Sequence, residues 1–122
     1  MQLTSTQIGA LTGSQIAALT TVEAAALTTT QLGGLAATQI GSFETTDIAS
    51  LTTTNVAALT TTQVGGLTSG QVAALTTAQV QSVETTDIAA LSTTQIGGLT
   101  TTQIGVLSTV QVQSVETTDL AA

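Results

Sequence analysis

The sequence predicts an all-α protein, a tightly wound solenoid of very short helices with one helix per eight residues. A β-solenoid is the alternative. Three observations carry this expectation. From Leu3 every eighth residue is Leu, replaced once by Phe (Phe43) and twice by Val (Val83, Val115). The register runs without a slip to Ala122, so residues 3–122 form a single continuous array of fifteen octads. Most octads also carry the letters of a helix start. A fixed short period with no insertion is the mark of a stacked array rather than a globular enzyme domain.

Let the large aliphatic residue be position 1 of each octad. The consensus is then Leu-Thr-Thr-Thr-Gln-Ile followed by two small residues, as in Leu27 to Gly34 and Leu91 to Gly98. Position 6 is Ile, Val or Leu except in the third octad, which has Ala24. Position 5 is always Gln, Glu, Asp or Asn.

A single long helix does not suit this period. Eight residues at about 100° each overshoot two turns by about 80°, so an apolar stripe would spiral around the helix. Runs of Thr and pairs of Gly weaken a long helix further. A straight strand would send positions 1 and 6 to opposite faces. A corner inside each octad would repair that, and Thr, Ile and Val favour strands, which keeps the β-solenoid open.

Short helices account for more of the letters. Ser or Thr at position 2 with Gln or Glu at position 5 is a capping box, in which each side chain bonds the other residue's amide. Ten of the fifteen octads match it, for example Thr28 with Gln31 and Thr20 with Glu23. Positions 1 and 6 then fall where a hydrophobic staple joins the residue before the cap to the fourth helical residue. Small residues at positions 7 and 8 let the helix end, and Gly there tolerates a left-handed conformation. So short a helix is unstable alone, and only stacked octads are expected to fold. The representative core residues are Leu27, Leu32, Leu59, Val64, Leu91 and Ile96.

Composition narrows function by exclusion. The chain has no Lys, Arg, His, Cys, Trp, Tyr or Pro, and its seven carboxylates give a net charge of −7. Nucleic-acid binding needs cations against phosphate, so no nucleic-acid partner is expected. A polybasic membrane contact fails for the same reason, and no stretch approaches the roughly twenty apolar residues of a membrane span. Disorder does not fit a chain that is 42% hydrophobic and only 6% charged. Met1-Gln2 leads straight into the first octad, so no signal peptide is expected. The close of the array on an octad boundary suggests a segment of a longer repeat tract.

No catalytic chemistry is expected either. The chain offers no His, Cys, Lys or Tyr to act as base or activated nucleophile, and its many hydroxyls have nothing to activate them. No His/Cys metal centre and no phosphate loop can be built. Neither a cofactor nor a small-molecule substrate is expected.

Three octads depart from the consensus together. They place Glu44 with Asp47, Glu84 with Asp87, and Glu116 with Asp119. Paired carboxylates beside hydroxyls raise the thought of Ca²⁺. Two carboxylates per site are few, and the spacing of a calcium loop is missing. A helix-start role is preferred, with Asp accepting amide hydrogen bonds where acids are favourable. Gly-Gly pairs end at Gly34, Gly66 and Gly98, which would suit a superhelical repeat of four octads or a history of duplication. Position 4 turns apolar at Val22, Ala78 and Val110, which suggests partial burial, with Val22 compensating for Ala24. No octad carries an obvious polar end-cap, which invites end-to-end association into a homo-oligomer or filament.

The Leu-Thr-Thr-Thr-Gln-Ile/Val octad resembles the tandem repeats of very large secreted or surface-attached bacterial proteins of the adhesin-like class. The resemblance covers Leu3 to Ala122. It implies an extracellular or cell-surface spacer, stalk or fibre, and it transfers no catalytic or ligand-binding residue. The helix start also looks like that of DNA-reading helical repeat proteins, but the eight-residue period and the lack of any cation exclude that relation. The expected role is therefore a rigid extracellular rod that lacks every trypsin site. The alternatives are an ice- or surface-binding Thr array and a calcium-stiffened adhesin spacer.

Overall fold

The computed structural model describes residues 3–115. Fourteen helices occupy them, one in each of the first fourteen octads: α1 (Ser5–Gly9), α2 (Gly13–Ala17), α3 (Thr21–Ala25), α4 (Thr29–Gly33), α5 (Ala37–Ile40), α6 (Thr45–Ser50), α7 (Thr53–Ala57), α8 (Thr61–Gly65), α9 (Ser69–Ala74), α10 (Thr77–Ser82), α11 (Thr85–Ala90), α12 (Thr93–Gly97), α13 (Thr101–Val106) and α14 (Thr109–Ser114). No strand occurs among the described residues, so the helical solenoid stands and the β-solenoid does not.

Each helix begins as its letters require. In octad 1, Thr4 takes an extended backbone (φ −74°, ψ 164°), and its hydroxyl accepts from the Gln7 amide at 3.2 Å. The Gln7 side-chain oxygen accepts in return from the Thr4 amide at 2.9 Å. All ten octads with the capping-box letters form the complete box. In octad 5 Ala36 has no hydroxyl, and only the return bond to Gln39 is made, at 2.8 Å.

Helix endings differ from expectation. No residue with positive φ, glycine or otherwise, occurs among the described residues. Each helix ends on a right-handed or extended residue, and the next aliphatic amide reaches back to the position-6 carbonyl, as from Leu35 to Leu32 at 3.1 Å. The chain turns without a left-handed cap, so Gly at positions 7 and 8 must serve another purpose.

The helices stack at a fixed interval. Every helix from α1 to α11 packs against the third helix after it: α1 on α4, α2 on α5, and so on to α11 on α14. Aliphatic residues at positions 1 and 6 point into one continuous core, and Ile16, Ala24, Leu32, Ile40 and Ile48 are almost wholly enclosed. Of the six expected core residues, Leu32, Leu59, Val64 and Leu91 are buried, and Leu27 and Ile96 are partly buried against the same cluster. Position 4 lies on the outer face. Val22 is 76% exposed and Val110 56%, so neither packs inward and Val22 does not compensate for Ala24.

Gly34, Gly66 and Gly98 stand where two turns nearly touch. A methyl group at Gly98 would come within 2.6 Å of the Ser69 carbonyl oxygen. At Gly34 and Gly66 it would overlap the backbones of Ser5 and Ala37. All three neighbours lie 29 residues earlier, not 32. The Gly-Gly pairs therefore mark close backbone approach rather than a turn of four octads.

Candidate functional site

The feature with the most developed chemistry is the residue at position 5. Sequence alone gives this Gln one duty, to accept the cap amide with its side-chain oxygen. The structure gives it a second. Its Nε2 points down the stack and donates to backbone carbonyls of the preceding turn. Gln71 Nε2 donates to Ile40 at 3.0 Å and to Phe43 at 2.8 Å, 31 and 28 residues earlier. Gln79 does the same to Ile48 and Leu51 at 2.8 Å each, and Gln95 to Val64 and Leu67 at 2.8 Å each. Gln63 reaches Leu32 and Leu35 at 2.9 Å each. Gln39, Gln103 and Gln111 repeat the pattern, Gln31 reaches Leu3 at 2.6 Å, and Asn55 reaches Leu27 at 2.7 Å.

These bonds fix the geometry of the coil. An offset of 28 residues is three and a half octads, so successive turns are staggered like courses of brick. The start of each helix lies over the junction between the fourth and third helices before it. The position-6 carbonyl also accepts the next aliphatic amide, as Leu32 does from Leu35 at 3.1 Å, and the position-1 carbonyl lies between that helix and the next. One side chain thus accepts the cap amide at its own helix start and donates to two carbonyls that flank one helix junction below. From Gln39 to Gln111 the glutamines at position 5 are deeply enclosed; Gln71 and Gln79 are each 2% exposed. A buried amide must be hydrogen-bonded to avoid a desolvation cost of about 1–3 kcal/mol, and these amides are.

The acidic octads interrupt the ladder. Asp47 and Asp87 occupy position 5 and are 2% and 3% exposed. Glu44 and Glu84 stand at the N-caps and Asp47 and Asp87 in the first turns, where acids are favourable, but no side-chain cap hydrogen bond is made. The Asp47 amide bonds the Glu44 carbonyl instead, at 3.0 Å, and Asp47 Oδ2 is buried with no partner. Burial pushes the Asp47 carboxyl above its ordinary value, and the nearby charges of Glu44 and then Glu23 push the same way. Asp87 is raised by burial and then by Glu84. Glu44 and Glu84 point outward. Among the described residues no group of three or more carboxylates is placed to hold a metal ion. Glu116 and Asp119 lie outside the described residues.

Thr side chains at positions 2 to 4 line the exterior. Those at position 2 are engaged in caps. Among the described residues no helix is long and apolar enough to cross a membrane.

No curated protein and no solved structure matches the chain. A model of the ALTTAQ repeat matches residues 40–77 and 80–117. Its six letters stand unchanged at Ala74–Gln79, where the end of one octad meets the aliphatic residue, cap and ladder glutamine of the next. With more than half of its length matched, the chain belongs to the ALTTAQ repeat family.

Proposed function

We propose that this repeat protein is a structural spacer, a stiff rod or stalk displayed outside the cell. The observation that supports this reading is the glutamine ladder, which crosses from turn to turn over most of the array. Such bonds tie each turn to its neighbour and resist both bending and local unfolding. Side chains with chemical capacity are spent on the backbone rather than presented to a ligand. The role needs no catalysis, cofactor or substrate. The absence of Lys and Arg from the chain deprives trypsin-like proteases of sites, which suits exposure outside a cell. The resemblance to adhesin-like repeats supports the same placement.

End-to-end assembly belongs to the same proposal. In the first turn the Gln7 and Gln15 side chains are exposed, and their oxygens serve the caps. Near the other end Ile104 and Val112 are about half exposed. A second copy of the chain, stacked in register, would extend both core and ladder.

Electron microscopy and small-angle scattering of chains with differing octad numbers test the reading. A rod whose length grows linearly with octad number is expected, and compact particles of constant cross-section ratio would contradict it. Sedimentation over a range of concentrations tests assembly separately: a growing series of end-to-end species is expected, and a strict monomer would remove that part alone.

A further inference from the structure

The ladder offsets lead from Asp47 to the carbonyls of Ile16 and Leu19, and from Asp87 to those of Val56 and Leu59. In other octads these carbonyls meet a side-chain amide. An ionised carboxylate has no proton to give them, and it would set negative oxygen against negative oxygen. The same two octads also lack side-chain cap bonds at Glu44 and Glu84. Both polar links of an ordinary step are thus missing at the same place. We propose that Asp47 and Asp87 are proton-binding joints in the stack, whose neutral carboxyls donate across the turn to a backbone carbonyl and whose ionisation loosens that step.

The buried and unpartnered Oδ2 of Asp47 is the atom that would carry the proton, taken up from solvent. The surroundings favour the neutral form. Around α6, Glu23 comes from α3 below and Glu44 from the cap, while α9 above has no titratable residue. Around α11, among the described residues, Glu84 adds charge, and neither α8 nor α14 has a titratable residue. Both Asp carboxyls are raised above their ordinary 3.8. The folded state therefore holds these protons more tightly than the unfolded chain does. Stability contributed by them is full below 3.8, falls as pH rises through the folded value, and is flat above it. This is the reverse of ordinary acid denaturation. The joints lie 40 residues apart, so acid would tighten the rod at spaced points.

The test is a carbon-13 titration of the Asp carboxyls in the full chain, joined to thermal melts at pH 4 and pH 7. Asp47 and Asp87 should titrate above the ordinary range, and Tm should rise by about 3–8 °C at pH 4. The double variant Asp47→Gln, Asp87→Gln should melt higher at pH 7 and lose most of this pH dependence. The variant Glu44→Gln, Glu84→Gln removes the same charge from the surface and should keep most of it. Ordinary titration midpoints for both aspartates would overturn the proposal. So would equal loss of pH dependence in the two variants, which would assign the effect to net charge. Should the Gln variant fail to fold, the titration of the unaltered chain decides alone.

Discussion

Octads 9 and 6 share one backbone design and differ in how they are joined. Octad 9 has Thr68 as cap and Gln71 at position 5, and it makes four polar links, two at its own helix start and two to the turn below. Octad 6 has Glu44 and Asp47 in the same places, and its cap side chain accepts no bond. Yet Ile48 is as deeply buried as Val72, and α6 packs against α3 and α9 as its neighbours do against theirs. Aliphatic burial therefore holds the stack together at both places. The position-5 side chain decides how firmly adjacent turns are pinned and at what pH.

The largest expected effect comes from making an ordinary step worse than the acidic one. Gln71→Ala would leave the Ile40 and Phe43 carbonyls without their side-chain donor, strip the Thr68 amide of its acceptor, and open a buried gap. A loss of about 3–5 kcal/mol in denaturant unfolding is expected. Gln71→Glu keeps the cap and removes only the donors, so it should transplant the acidic step. Its stability should be lower at pH 7 than at pH 4, the sign argued for Asp47.

Glycine gives the next contrast. Gly66→Ala would drive a methyl into the Ala37 backbone and should cost about 1–3 kcal/mol. Gly65→Ala meets open space and should gain up to about 1 kcal/mol by restricting the unfolded chain. Thermal melts of the two single variants read the difference directly. Equal effects would mean that the turns do not meet at Gly66.

The smallest effects concern the caps. Thr60→Ala should cost about 1 kcal/mol through loss of one box. Ala36→Thr should recover a similar amount, because Gln39 already supplies the return bond. Melts of both variants against the unaltered chain check the pair.

Helix starts, octad boundaries and the aliphatic core were legible in the letters, because capping and staple chemistry act within one octad. The winding was not, because near-identical octads give almost no clue to which ones touch. Only the exceptions hold that information. Gly34, Gly66 and Gly98 stand opposite Ser5, Ala37 and Ser69, and these three are small at position 3, where Thr is the rule. Gly13 likewise lies against Ser42. Size is traded between residues 29 apart, and that pairing in the sequence points to the stacking interval. Position 5 held a second unread signal. A capping box is served equally by Gln or Glu, yet the chain has ten Gln there and one Glu. The excess is explained once the amide protons have work to do. The acidic octads resisted for the opposite reason: acids suit a helix start, and nothing within the octad shows that Asp47 is buried.

The ladder itself can be observed by following hydrogen exchange of the glutamine side-chain amides by NMR in the full chain. Protons on Gln63, Gln71, Gln79 and Gln95 should exchange far more slowly than those on Gln7 and Gln15, whose side chains are exposed. Trans-hydrogen-bond couplings should link Gln71 Nε2 to the carbonyl carbons of Ile40 and Phe43. Uniformly fast exchange at all of these glutamines, with the helices intact, would show that the turns are not joined in this way.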